Sequence, residues 1–230
     1  MPAKSLAPQQ ARSRESLRKL LKATAEVVGQ HGLEGATIPR IAAHAGLTPG
    51  AIYRRFRDKD ALMEAVILGI LERQDARLEQ SLGFSVARHI PLPLFAEQTI
   101  GSLVVSYRAN ASLLRAMRIF VQGRAHTPFW RKACRYEIKT FEHIVDMFLS
   151  HKDEITHPDP RLAVATGLMM VTSTLFEVVV MPTDLGPLKA FLPDDMGLKR
   201  ELTRAFLNYL GVARAGAARG SDSHDFKQLG

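Results

Sequence analysis

The sequence predicts an all-α fold of about nine helices, and three observations carry that expectation. The 12 prolines in 230 residues leave long proline-free intervals at 50–90, 94–127, 129–157, 161–181 and 194–230. Within these intervals apolar residues recur at helical spacing, as in Trp130, Cys134, Ile138, Phe141, Val145 and Phe148. No stretch sustains the period-two alternation and flanking hairpin dipeptides that mark paired strands. Several prolines stand where helices begin: Pro91 and Pro93, Pro128 after Thr127, and Pro158 and Pro160 around Asp159. The expected organisation is a flexible arm over 1–12, a small helical unit over 13–60, a larger helical body over 61–213 and a flexible Gly/Ala/Ser-rich tail over 214–230.

Taken in order, the first amphipathic helix runs from Arg14 to Gln30 and buries Leu17, Leu20, Leu21, Thr24, Val27 and Val28. Gly32 then offers a left-handed residue to end it. Thr37 is placed to cap a short second helix, Ile38 to Ala45, which buries Ile38, Ile41, Ala42 and Ala45. Gly46 permits a tight turn, Leu47 plugs the core, Thr48 caps, and Pro49 is pre-set for the first position of a third helix, Pro49 to Phe56. Asp58 can cap a long fourth helix that starts at Lys59.

Two short helices joined by a Gly-containing turn form a helix-turn-helix. With Ile52 and Phe56 turned inward, the second of them exposes Thr48, Gly50, Ala51, Tyr53, Arg54 and Arg55. An α-helix fits the DNA major groove, where such side chains reach base edges and phosphates. Charge agrees with this placement: residues 1–60 hold 11 Lys/Arg against 5 Asp/Glu, whereas the other 170 hold 20 against 18. A basic first quarter on a nearly neutral body suits a polyanionic partner for that quarter.

The stretch from Ala36 to Leu62 closely resembles the signature of the TetR family of bacterial transcriptional regulators. The shared residues are Thr37, Ile41-Ala42, Ala45-Gly46, Thr48, Gly50, Tyr53, Phe56, Lys59 and Leu62. One departure is Val28, where the family usually places an aromatic ring. The resemblance implies an all-α homodimer whose two N-terminal units bind a palindromic operator in double-stranded DNA and usually repress transcription. It marks Thr37, Tyr53 and Lys59 as phosphate contacts and puts Thr48, Pro49, Gly50, Ala51 and Arg54 on the groove-facing surface. Arg40 can reach the backbone or a base from the second helix, or simply stay solvated. Lys4 and Arg12, on the leading arm, offer a minor-groove contact if the operator is A·T-rich.

The body is expected to supply dimerisation and, from the resemblance, a pocket for a small-molecule effector. Leu162 to Met181 is apolar nearly all round, which fits a helix buried on two sides. With the last helix, Leu198 to Leu210, it matches the four-helix dimer interface of the family. The interface candidates are Leu168, Leu175, Val179, Leu202, Phe206 and Leu210. Met117, Phe120, Phe141, Met147, Met169 and Phe176 are pocket candidates suited to an apolar or aromatic ligand, although such stripes are more often plain core. His143 and Glu177 interrupt apolar faces and are the candidate polar handles.

Other function classes have little support. The single cysteine, Cys134, forms no internal disulfide and sits on an apolar face without a neighbouring base by sequence. The histidines form no metal-binding helix pair, and there is no GxGxxG, P-loop or GxSxG motif, so no catalysis, cofactor or metal is expected. Thr166, Thr172, Ser173, Thr174 and Glu177 break the most apolar segment, and no signal-peptide stretch opens the chain, so the expected location is cytoplasmic, on the nucleoid, with no membrane partner. The leading expectation is a ligand-responsive repressor. The alternatives are a helical small-molecule-binding or architectural protein with nonspecific DNA contact, or an activator of the same family.

Overall fold

The computed structural model describes residues 6–80, 88–182 and 185–212, with side chains from 13 to 78 in the first of these stretches. Eight α-helices occur among the described residues, and no strand does. They are α1 (Leu6–Gly35), α2 (Ile38–Ala45), α3 (Pro49–Tyr53), α4 (Lys59–Gln80), α5 (Leu92–Gln122), α6 (Pro128–Leu149), α7 (Pro160–Leu175) and α8 (Asp195–Leu210). A π turn, Phe176–Val180, extends α7, and a 3-10 turn, Gly186–Phe191, leads towards α8. The expected tail, 214–230, and Lys4 of the expected arm lie outside the described residues.

Helix starts follow local chemistry. The side chains of Thr37, Thr48, Asp58, Thr127, Asp159 and Asp194 each accept a hydrogen bond from the backbone N–H three residues on. Each satisfies one of the amides that a helix start leaves without a partner. Helix ends were harder to place. Helical backbone begins at Leu6 rather than Arg14, within the stretch expected as an arm. Gly32 kinks α1 (φ 68°, ψ −179°) instead of ending it, and one further turn runs to Gly35. Helix α3 stops at Tyr53 rather than Phe56, although Phe56 N–H still bonds the Ile52 carbonyl at 3.0 Å, so the chain keeps turning.

Two apolar cores hold the molecule. The lower one joins Leu20, Val27, Val28, Ile41, Ile52, Leu62, Met63 and Ile67 from α1–α4. Ala116 and Phe120 of α5 and Phe129 of α6 complete it. The helix-turn-helix is therefore packed directly on the end of the body, with the Phe120 and Phe129 rings edge to face at 5.8 Å. The upper core contains Leu92, Phe95 and Ile100 of α5, Val145 and Phe148 of α6, Leu168 and Leu175 of α7, and Leu198, Phe206 and Leu210 of α8. Helix α5 belongs to both.

A polar strut reinforces the junction. Arg124, just past α5, donates to an Asp60 carboxylate oxygen at 2.5 Å and to the Phe120 carbonyl at 2.9 Å. Its guanidinium lies 3.5 Å from the centre of the Phe120 ring. On the far side, Lys139 of α6 donates at 2.8 Å to Asp75, a nearly buried carboxylate of α4.

Pro160–Val180 is long and apolar enough, by composition, to span a membrane. Half of its most apolar window is buried, however, and α7 packs against α5, α6 and α8. That is the arrangement of a core helix.

Candidate DNA-binding surface

Helices α2 and α3 are set by the turn between them. Gly46 takes the left-handed conformation (φ 66°, ψ 35°), and Leu47 N–H returns to the Ala42 carbonyl at 2.8 Å. Thr48 adopts an extended backbone, and its hydroxyl accepts from Ala51 N–H at 3.3 Å, starting α3 at Pro49. Beneath the turn Ile41, Ala42 and Ile52 are fully buried, so the outward edge of α3 has a single orientation.

That edge carries Thr48, Pro49, Gly50, Tyr53 and Arg54, all exposed, with Ala51 half-buried between them. Tyr53, at 55% exposure, projects into solvent. The structure thus brings the five expected groove-facing residues together with Tyr53, the expected phosphate contact. Space around Gly50 is open: a methyl group built there meets no atom within 4 Å. A backbone that bare can approach a groove wall closely.

The remaining candidates have intramolecular partners. Thr37 caps α2, accepting from Arg40 N–H at 3.4 Å. The Arg40 guanidinium donates to the Gly35 carbonyl at 2.5 Å, at the end of α1. The Lys59 ammonium donates to the Leu33 carbonyl of the same helix end. Both cations therefore face the negative end of the α1 dipole, a stabilising placement. Each keeps further N–H groups for a phosphate. Arg55, expected on the exposed side, also donates to the Ser13 carbonyl at 3.3 Å, a tie sequence reasoning missed together with the His44–Glu26 pair at 2.9 Å, which joins α2 to α1. That pairing holds the Glu26 carboxyl below its ordinary range, mainly through the His44 hydrogen bond.

With this geometry in place, comparison with known proteins is direct. Residues 20–66 match the family model described as bacterial regulatory proteins, tetR family. The helix-turn-helix unit is therefore similar to that of the tetR family, and the family model does not extend into the body. HTH-type transcriptional regulator BetI of Escherichia coli is 41% identical over 64 residues, a match spanning 27% of this chain and only 33% of BetI. A TetR-family transcriptional regulator from Mesorhizobium loti superposes with a TM-score of 0.65 at 18% identity, over 87% of this chain and 98% of that one. The regulator FadR of Bacillus subtilis, solved in complex with stearoyl-CoA, superposes with a TM-score of 0.57 at 15% identity, over 84% and 98% of the two chains. At these identities the structural likeness is one of fold.

The body residues singled out from sequence scatter. Phe120 and Met117 belong to the lower core, whereas Phe141 and Met147 pack on the upper one. His143 and Phe176 are half-buried, while Met169 and Glu177 face solvent. A cleft of about 250 Å3 at the junction is lined by Leu33, Glu34, Lys59, Asp60, Met63, Ile119, Phe120 and Arg124, so only Phe120 of the eight candidates reaches it.

Of the interface candidates, Leu168, Leu175, Val179, Phe206 and Leu210 are buried within the protomer, and Leu202 is half-buried. The five buried ones fill the upper core and are not free to meet a second chain, whereas Leu202 keeps part of its surface open. The outward face of α7 and α8 instead carries Leu162, Met169, Met170 and Tyr209.

A polar cluster on the body went unnoticed in the sequence. Arg118 of α5 lies over the Phe176 ring at 5.5 Å, and Arg115 donates to the Val180 carbonyl at 2.7 Å, pinning the π turn. Desolvation raises the Glu137 carboxyl, with Arg118 partly opposing it. Desolvation, and then the Glu137 charge, raise both the Tyr107 hydroxyl and the Cys134 thiol. A raised thiol is a poor nucleophile. Among the described residues no group of three or more His, Cys, Asp or Glu side chains converges as a metal site would require.

Proposed function

We propose that this chain is a ligand-responsive transcriptional regulator, a repressor that binds a palindromic operator as a homodimer and is released by a small, mostly apolar effector. The observation that carries the reading is the exposed edge Thr48–Arg54, held by two side-chain-capped helices over a fully buried Ile41–Ile52 contact. In the proposed complex Tyr53, Thr37 and Lys59 meet phosphates, while Thr48, Pro49, Gly50, Ala51 and Arg54 face the groove and Arg40 lies at its margin. Two such edges read a palindrome when they sit about one DNA turn apart, roughly 34–36 Å.

Release follows from the junction. The helix-turn-helix shares its core with Ala116, Phe120 and Phe129, so movement in the body shifts the reading edges and their spacing. In this reading the effector enters between α5, α6 and α7, beside Phe141 and Met147. Because Bacillus subtilis FadR holds stearoyl-CoA, acyl-chain ligands are the first class to screen. A cytoplasmic, nucleoid-associated location accompanies this reading.

The test is selection from random duplex DNA with the full chain, followed by gel shifts on the enriched sequence. Enrichment of a palindrome is expected, and Tyr53→Ala combined with Arg54→Ala should abolish the shift while the oligomeric state stays unchanged. Uniform retention of all sequences would favour an architectural protein, and a shift surviving in the double variant would remove α3 as the reading helix.

A further inference from the structure

Three of the four most exposed large apolar side chains among the described residues lie close in sequence at the entry to α8: Phe191 (84%) and Leu188 (62%) on the preceding 3-10 turn, and Met196 (74%) in the first turn of the helix. The first two are displayed by a built turn. Leu188 N–H bonds the Leu185 carbonyl at 3.0 Å and Leu192 N–H bonds the Lys189 carbonyl at 3.2 Å. Leu185 and Leu192 anchor the two ends of the turn against the upper core, so Leu188 and Phe191 are thrust outward between them.

Beside this knob lies a hole. A groove of about 490 Å3 runs between the end of α7 and the flank of α8, floored by Val178, Leu198, Leu202 and Ala205, with Glu201 and Arg204 on its rim. Leu192 and Pro193 also line it, yet Phe191, their immediate neighbour, stays out in solvent. A single chain therefore leaves an apolar knob and an apolar hole open side by side. A two-fold axis is the operation that satisfies both at once, because it lays each knob over the other chain's hole.

We infer that the turn Gly186–Phe191 of one chain inserts Phe191 into the α7–α8 groove of a second copy, and that the exchange is reciprocal. This deepens the homodimer reading above and rests on it. The exchange is continuous with the exposed stripe Leu162, Met169, Met170 and Tyr209 on the outer faces of the same two helices. The rim carboxylate of Glu201 is already paired with Arg200 and Arg204 of its own chain, so the fit is one of apolar burial rather than of charge. A desolvated aromatic anchor in a pocket, ringed by polar groups, is the usual form of an interface hot spot.

Two measurements on the full chain test the exchange. In the first, Phe191→Asp should raise the dimer dissociation constant at least about 30-fold, the effect of losing one hot spot, as followed by light scattering and sedimentation. Its helicity and melting of the monomer should match those of the wild-type monomer, since Phe191 touches little within its own chain. In the second, Phe191→Cys and Ala205→Cys chains, each with Cys134→Ser, are mixed and treated with a short bis-maleimide. A cross-linked heterodimer is expected in the mixture, and none from Ala205→Cys alone. A dimeric wild type that keeps its affinity in Phe191→Asp and yields no heterodimer overturns the exchange while leaving a dimer built on the α7–α8 stripe. A wild type that is monomeric at micromolar concentration overturns the homodimer reading as well. Protection of Ala205→Cys from labelling by an added fatty acid, with dimer affinity unmoved by Phe191→Asp, would assign the groove to a ligand instead.

Discussion

Replacing Gly167 by alanine should destabilise the chain, whereas the same change at Gly69 should stabilise it. A methyl group built on Gly167 of α7 would lie 2.7 and 2.8 Å from two ring carbons of Phe206 on α8. Ordinary carbon contacts are about 3.5–4.0 Å, so the overlap approaches 1 Å. Phe206 has no room to withdraw: it is 1% exposed and packs edge to face on Phe148 with ring centres 5.1 Å apart. Overpacking of this kind costs about 1–3 kcal/mol, against about 1 kcal/mol regained by replacing glycine inside a helix. The net loss is thus up to about 2 kcal/mol. At Gly69 in α4 the new methyl meets only the mobile Arg73 guanidinium at 3.4 Å and Leu21 at 3.6 Å, so the helical gain of about 0.5–1 kcal/mol stands. In a chain of this size each kcal/mol moves Tm by about 2–4 °C. Thermal melts followed by far-UV circular dichroism, at one fixed protein concentration, should place Gly167→Ala below wild type and Gly69→Ala above it. Gly167→Ala melting as high as Gly69→Ala would refute the claim that α7 and α8 meet on a bare backbone.

Two further outcomes are expected. Asp58→Ala removes the acceptor 2.7 Å from Ala61 N–H and should cost about 1 kcal/mol, read as a lower urea midpoint, with Asp58→Asn recovering most of it. The Glu137 carboxyl is raised in the folded chain, so its ionised form is disfavoured there: the folded state is penalised once pH climbs through the folded pKa, and not below the unfolded one. Glu137→Gln should therefore raise Tm relative to wild type at pH 7. That gain should shrink as pH falls into the ordinary carboxylate range, and a gain that persists undiminished in acid would show another cause.

How much of this was legible in the sequence depended on the range of the interaction. Thr37, Thr48 and Asp58 were readable as caps because a cap is decided within three residues, and Gly46-Leu47-Thr48-Pro49 fixes its turn by local backbone preference. The reading edge of α3 followed from the caps. The ends of α1 and α3 were less legible, because packing against the lower core prolongs α1 past Gly32 while α3 tightens after Tyr53. In α7 the difficulty was different. A helix apolar on every side gives no periodicity that tells inside from outside, so Leu168 and Leu175 were assigned outward although they are buried, and the exposed positions are Met169 and Met170. Methionines and aromatic rings at helical spacing read equally as core or as pocket, and Met117 and Phe141 prove to lie in different cores. Lys59 was placed by pattern alone, which could not show the Leu33 carbonyl waiting for it across 26 residues.

Helix α5 deserves a mechanical description. Its 31 residues, at about 1.5 Å of rise each, make a rod of roughly 46 Å. Leu92, Phe95 and Ile100 grip one end, and Ala116 and Phe120 the other. Between them Val105, Ser106, Ala109 and Asn110 face water, while Val104, Leu103, Tyr107 and Ala111 hold the opposite side of the midsection against the upper core. A rod shared by two cores couples them: a displacement near Phe95 should be felt at Arg124 and its strut on Asp60. For the same reason the two ends should melt in concert, since neither can come apart without loosening the axle they share.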